Sequence, residues 1–289
     1  MGSLVDSAGD VSAARRRTID AFARAAPTYN VVGPPLFSHF ARKLVEFAEL
    51  RTAGAVLDVA TGTGAVLLEA AQSLEGEPRL VGVDVTDAML HRAAAEAQGL
   101  RLVNLDLRVM DAGQLDFEDG AFDAVFCAFA FSSFPNKTRV IAEFRRVLKP
   151  GGRLCISDSF GWYFDQDERW AWQRELLARF GAFSGADRVL ADRAAFTAGD
   201  LVGLLTSAGL DDIAAREETY ELMFRDEDEW WNWSWSHGTR VLFEAVPDAE
   251  RDRFQRNALA QARGLQKRQG AICATVQATL TRGDRAPSF

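Results

Sequence analysis

The sequence predicts an α/β fold: a doubly wound, parallel sheet of seven strands carrying two helical, aromatic-rich insertions. Three observations carry that expectation. Short apolar runs alternate with amphipathic segments through the first 158 residues, the rhythm of strand–helix units. The first apolar run opens directly into a glycine-rich turn, Thr61-Gly62-Thr63-Gly64, and then into a helix-like segment. All seven tryptophans fall between Trp162 and Trp235, so the chain changes character after its sheet-like part.

Taken in order, 1–50 reads as an N-terminal helical arm and 51–159 as the core of the sheet. Ala55 to Ala60 is a buried strand, and Ala65 to Leu74 is the helix behind its glycine turn. Arg79 to Val83 is the second strand, followed by a helix from Asp87 to Gln98 that Gly99 ends. Leu105 to Val109, Phe122 to Cys127 and Arg153 to Ser157 supply three more strands. Between the last two, a helix from Lys137 to Leu148 is stopped by Lys149-Pro150-Gly151-Gly152. The segment 160–196 reads as an aromatic lid insertion, and 197–289 as the end of the sheet with a second lid insertion at 223–269. There, Thr197 to Ala208 reads as a helix and Ile213 to Leu222 as a strand. Asp248 to Gln269 reads as a charged helix, and Ala271 to Thr281 as the last strand.

Composition removes several classes of function. The 289 residues carry 33 Lys and Arg against 41 Asp and Glu, a net charge of −8, and the isoelectric point is near 5.1. With no basic patch, binding to nucleic acid is disfavoured. The most apolar run, Ala121 to Phe134, is interrupted by Asp123 and is shorter than the ~20 residues of a membrane span. Met1 to Ala14 lacks the pattern of a secretory signal. Cys127, Cys155 and Cys273 lie far apart in apolar stretches, which suggests reduced, buried thiols and a cytoplasmic protein. The cysteines and the three histidines show no metal-ligand spacing, so no metal is expected.

The chemistry concentrates in Asp58-Val59-Ala60-Thr61-Gly62-Thr63-Gly64. A strand that runs into a glycine turn and a helix lets backbone approach a ligand closely at the carboxyl end of the sheet. The helix N-terminus beyond it offers free N–H groups. Asp84, twenty residues after Gly64, stands where a carboxylate can accept both hydroxyls of a ribose. Asp111, after the third strand, can meet an adenine amino group. Together these describe a crevice for an adenosine ligand. Leu67 stands where the dinucleotide fingerprint needs its third glycine, and no phosphate-loop motif occurs, so neither a nicotinamide nor a nucleoside triphosphate is favoured.

Five ordered segments now carry a resemblance. They are Asp58 to Gly64, Val83-Asp84-Val85-Thr86-Asp87-Ala88-Met89, Met110-Asp111-Ala112, Phe122 to Cys127, and Arg145 to Leu154. They resemble the motifs of class I S-adenosylmethionine-dependent methyltransferases, in particular the ubiquinone/menaquinone methyltransferase-like branch and its small-molecule relatives. The likeness covers about Phe22 to Ser159 and implies a Rossmann-like sheet. It implies S-adenosyl-L-methionine as cofactor, with S-adenosyl-L-homocysteine as product. Asp58 and the turn Gly62 to Gly64 would shape the methionine pocket, Asp84 would hold the ribose, and Ala60, Val85 and Met89 would also contact the cofactor. Asp111 and Ala112 would meet the adenine, Cys127 would pass beneath the cofactor, and Tyr29 would close over it from the arm.

For the acceptor the residues speak less directly. His237, inside Trp233-Ser234-Trp235-Ser236-His237, is the candidate general base, though a histidine that only ties the lid together fits equally well. His39, Trp162, Tyr163, Trp231 and Trp235 are candidate substrate contacts, and His91 is expected to face solvent. An acidic chain with an aromatic pocket suits a neutral, hydrophobic small molecule methylated on oxygen or carbon, as in natural-product biosynthesis. Two alternatives stay open here: a cyclase or pericyclase that keeps the cofactor, and a non-catalytic cofactor-binding regulator. A monomer and a homodimer are both compatible with the sequence, and no membrane partner is expected.

Overall fold

Seventeen helices and strands build the described part of the chain, which in this computed structural model comprises residues 3–160, 167–183, 195–265 and 267–287. In chain order the first nine are α1 (Ser3–Ala25), α2 (Leu36–Ala48), β1 (Ala55–Val59), α3 (Ala65–Ser73), β2 (Arg79–Asp84), α4 (Asp87–Gly99), β3 (Leu105–Val109), β4 (Phe122–Ala128) and α5 (Lys137–Val147). They are followed by β5 (Leu148–Asp158), α6 (Trp172–Arg179), α7 (Ala198–Ser207), β6 (Leu210–Phe224), α8 (Glu227–Trp235), α9 (Arg240–Ala245), α10 (Arg251–Arg263) and β7 (Ile272–Arg285). Two compact units result, each assembled from separate stretches of chain: a sheet unit (36–161, 195–219 and 277–289) and an aromatic unit (1–35, 162–194 and 220–276). Among the described residues no helix is long and apolar enough to cross a membrane.

The sheet has the strand order β3-β2-β1-β4-β5-β7-β6. β1 to β5 are parallel, and β7 enters antiparallel beside β5. All of β1 and nearly all of β2 are buried, as a strand covered on both faces must be. Leu57, Val81, Val125 and Ile156 form a core with Ile141 and Phe144 of α5 and Leu201 and Leu205 of α7. Arg153 clips the antiparallel strand in place by two bonds of 2.7 Å to Asp284. The winding direction reverses between β1 and β4, which opens a crevice at the carboxyl ends of those strands.

One glycine of β2 answers the question raised by Leu67. A Cβ on Gly82 would stand 2.7 Å from both Leu67 Cδ1 and Leu107 Cδ2. Close packing of helix on sheet is thus reached by stripping the strand of its side chain while α3 keeps a leucine.

Two boundaries differ from expectation. The helix before Lys149-Pro150-Gly151-Gly152 ends at Val147, as that punctuation requires, but the strand after it starts earlier than Arg153: β5 begins at Leu148 and runs through these residues, with a register shift opposite Phe122 and Ala124. A bulge absorbs the missing proline donor. The charged helix is shorter than expected. It follows a 3₁₀ turn at Asp248–Glu250 and ends at Arg263, where the Gly264 N–H closes the last turn.

In the aromatic unit, the tryptophan-rich stretch is helical because Asp226 caps it. Asp226 accepts the Glu229 N–H at 2.8 Å, while the Glu229 carboxylate accepts the Arg225 N–H at 2.6 Å. Trp230, Trp231 and Trp233 are buried. Trp231 stacks on Phe243 at 5.0 Å, and Trp230 lies 5.3 Å from Trp170, whose Nε1–H donates to the Cys273 carbonyl at 3.0 Å. These rings are the core of this unit.

Candidate functional site

The crevice at the β1/β4 reversal is lined by the loop after each strand. β1 delivers Asp58, 1 % exposed, whose Oδ2 accepts the Thr61 hydroxyl at 2.7 Å while Oδ1 is buried without a hydrogen-bond partner. Burial, reinforced by the nearby Asp84 carboxylate and only partly offset by Thr61, pushes the Asp58 carboxyl up to about 7. A buried acceptor that lacks a donor is the feature a cationic or N–H-bearing ligand would complete. Beyond Asp58 the chain turns sharply: Ala60 has φ 56°, and Gly62 has φ 54°. A Cβ on Gly62 would meet no atom within 4 Å, so its open side is space available to a ligand.

Asp84 ties this turn to the end of β2. One oxygen accepts the Gly62 N–H at 3.0 Å and the other the Thr86 N–H at 2.8 Å. The Thr86 side chain and the Val85 N–H also bond this carboxylate, so a single group orders the whole turn at the end of β2. Burial pushes the Asp84 carboxyl above its ordinary range, with the backbone N–H bonds pulling the other way. Val85 is exposed, and Met89 in the first turn of α4 is buried. After β3, Asp111 Oδ1 accepts the Gly113 N–H at 2.7 Å and shapes a turn in which Ala112 is buried.

The opposite wall comes from β4. Cys127 is fully buried, and burial together with the Asp58, Asp158 and Asp84 carboxylates holds its thiol well above the ordinary range. It is therefore a packing group and not a nucleophile. Phe129, with φ 56°, is the second non-glycine residue in the left-handed region at this end of the sheet. Such backbone costs about 1–3 kcal/mol and concentrates where a ligand is held. The Phe129 ring meets Phe37 at 5.4 Å and Phe40 at 5.1 Å, which fixes α2 over the end of β4.

Sequence reasoning missed Asp158 and Thr61. Asp158 is fully buried at the end of β5 and accepts the Ser132 N–H at 2.7 Å and the Ser159 N–H at 2.8 Å, so it holds the loops after β4 and β5 together. The available signal was an acid closing an otherwise apolar run, Leu154-Cys155-Ile156-Ser157-Asp158.

The remaining expected residues divide between the units. His39, on α2 of the sheet unit, is partly buried, with Nε2 3.9 Å from Glu218 Oε1. Burial, followed by the nearby Arg42 charge, lowers its pKa and keeps the imidazole neutral near pH 7. His91 is exposed on α4, as expected. Tyr29, in the aromatic unit, follows α1 and its ring lies 6.2 Å from Phe22. Trp162 and Tyr163 lie outside the described residues. Trp231 packs inside the aromatic unit, and Trp235 is partly buried beneath the Arg240 guanidinium at 5.5 Å.

His237 does not have the surroundings of the general base expected of it. Its Nδ1 is 2.6 Å from the Trp233 carbonyl, its Nε2 is 3.4 Å from Thr239 Oγ1, and it is buried. Burial lowers its pKa to about 4, with the Trp233 carbonyl pulling weakly upward. Both ring nitrogens thus face groups of the aromatic unit, and the geometry supports a structural role.

Residues 56–152 match the family described as methyltransferase domain. The chain is 29 % identical over 284 residues to nocamycin O-methyltransferase of Saccharothrix syringae, covering 92 % of this chain and 98 % of that protein. It is 30 % identical over 216 residues to the ubiquinone/menaquinone biosynthesis C-methyltransferase UbiE of Geobacter sulfurreducens, covering 71 % and 84 %. Among solved structures, the phosphoethanolamine N-methyltransferase 2 of Haemonchus contortus in complex with S-adenosyl-L-methionine matches with a TM-score of 0.55 at 16 % identity. That match covers 93 % of this chain and 57 % of the other.

Proposed function

The chain belongs to the class I S-adenosylmethionine-dependent methyltransferases, and from that premise we propose that it methylates an oxygen atom of a hydrophobic small molecule in natural-product biosynthesis. S-adenosylmethionine is its cofactor. The observation that carries the finer reading is the near end-to-end match with nocamycin O-methyltransferase, which extends beyond the sheet core into the aromatic unit. The relative that methylates carbon favours a second reading, in which the acceptor is a carbon atom of an electron-rich ring.

The residues fit the cofactor at the β1/β4 reversal. The lone Oδ1 of Asp58 suits the methionine ammonium, and the open side of Gly62 leaves room for the chain that carries it. Asp84 would take the ribose hydroxyls and Asp111 with Ala112 the adenine. When bound, the cofactor supplies an activated methyl group on a cationic sulfur. The protein must then hold the acceptor in line, exclude water and remove a proton. Phe37, Phe40 and Phe129 provide an apolar wall beside the crevice. His39, neutral and near Glu218, is our candidate for the proton acceptor.

The test is incubation with methyl-labelled S-adenosylmethionine and a panel of phenols, enols and quinols, followed by mass and NMR analysis of the product. Label on oxygen supports the first reading and label on carbon the second. An acceptor converted to an isomer of unchanged mass, with no label taken up, overturns both.

A further inference from the structure

β3 is the outermost strand on its side of the sheet, and its free edge is apolar where edges are normally protected. Of the six large apolar side chains that stand exposed among the described residues, Val103 and Val109 belong to β3 or the residues leading into it, with Val103 86 % exposed. Beside the strand runs a groove of about 560 Å³ lined by Ala94, Ala97 and Gln98 of α4 and by Leu105 and Leu107. A strand edge with an apolar groove along it is a surface built to be covered.

The backbone says which residues point outward. The Leu80 N–H donates to the Asn104 carbonyl, and the Met110 N–H to the Asp84 carbonyl. In a parallel ladder of this register, Asn104, Asp106, Arg108 and Met110 spend their backbone groups on β2. The N–H and C=O groups of Leu105, Leu107 and Val109 therefore point to the open edge.

We propose that this edge pairs antiparallel with β3 of a second copy of the chain, about a two-fold axis through Leu107. The strand Leu105-Asp106-Leu107-Arg108-Val109 is self-complementary in that register and in no other that keeps Leu107 on the axis. Leu107 faces Leu107, and Leu105 faces Val109; these are the residues with outward groups, so all three facing pairs exchange both backbone bonds. Their side chains stand on the α4 face and close the two grooves over each other. On the opposite face, Asp106 of each copy meets Arg108 of the other in a close, non-hydrogen-bonded pair. Within one copy the Arg108 Nη2 already bonds Asp106 at 2.6 Å, so pairing joins two such ion pairs into a ring of four alternating charges. An isologous contact of this kind extends the seven-stranded sheet across the axis.

The experiment is sedimentation velocity on the full chain over a hundredfold range of concentration, without cofactor or substrate. The expected result is a mass rising from 31.8 kDa to twice that value. Arg108→Asp places four carboxylates together and should hold the protein at monomer mass while it still unfolds in one cooperative transition. Asp106→Arg combined with Arg108→Asp restores the alternation and should restore the dimer. A monomer at every concentration overturns the proposal, as does a dimer indifferent to Arg108→Asp or a charge swap that fails to rescue. Mass is the readout, so a failure here leaves the methyltransferase reading untouched.

Discussion

Asp58→Asn isolates the most unusual group in the crevice. In the wild type, burial raises the carboxyl from 3.8 to about 7. The folded protein therefore holds the Asp58 proton more tightly than the unfolded chain does. The sign follows: Asp58 contributes its stability at low pH, below the unfolded value, and that contribution is lost as pH rises through 7. A shift of about 3 units at 1.36 kcal/mol per unit amounts to about 4 kcal/mol across the whole range. Between pH 5 and pH 8 the part still to be lost is about 3 kcal/mol. Asparagine keeps an oxygen for the Thr61 hydroxyl but carries no charge, so it escapes this penalty. Thermal and urea unfolding of both proteins at pH 5 and pH 8, without cofactor, should show Asp58→Asn gaining on the wild type by about that amount as pH rises. Adding S-adenosylmethionine should cancel most of that gain, because a ligand at a hundredfold excess over its Kd stabilises by about 2.7 kcal/mol only the protein that binds it. A stability difference that stays flat from pH 5 to pH 8 would refute the argument that Asp58 is a buried carboxyl poised to be neutralised.

The other predictions concern the loop and the two histidines. Gly62→Val places its branched side chain in the open space beside the turn; with φ 54° it should cost about 1–2 kcal/mol in unfolding experiments and abolish cofactor binding in calorimetry. His237→Gln should leave turnover within about fivefold of wild type, since a general base is worth roughly 10²–10⁴-fold. Because His237 is depressed to about 4, it contributes stability above its ordinary value of 6.5 that is lost as pH falls through 4, about 3 kcal/mol in all. His237→Gln should flatten that acid limb of the unfolding profile, and an unchanged limb would contradict the placement. His39→Gln should lower turnover by roughly 10²-fold with cofactor affinity retained; full activity at every pH would remove His39 from the proton path.

Much of the sheet was legible because its strands are buried on both faces and read as apolar runs, while the helices between them end at recognisable punctuation such as Gly99. Lys149-Pro150-Gly151-Gly152 marked the end of the helix but hid the start of the strand, because punctuation is local whereas the pairing of Phe122 with Leu148 that draws these residues into β5 is not. The tryptophan stretch left helix and strand undecided. Asp226 and Glu229 held the answer as a cap, but their part in a longer acidic run hid it. Asp58, Gly62, Asp84 and Asp111 stood out by spacing along the chain, and all four lie in the sheet unit, with Asp84 bonded to the Gly62 N–H. Asp158 did not, because its role depends on Ser132, 26 residues away in sequence. His237 stood out by its aromatic neighbours, but those same neighbours bury it and occupy its nitrogens.

The account rests above all on the β1/β4 crevice holding S-adenosylmethionine through Asp84, and calorimetric titration of the cofactor into wild type and Asp84→Ala tests it most directly. Loss of hydrogen bonds to an ionised group should weaken binding by at least roughly tenfold, while Asp84→Asn, which keeps one acceptor for the loop, should fall between the two. Equal affinity in folded wild type and Asp84→Ala would contradict the placement of the cofactor in this crevice.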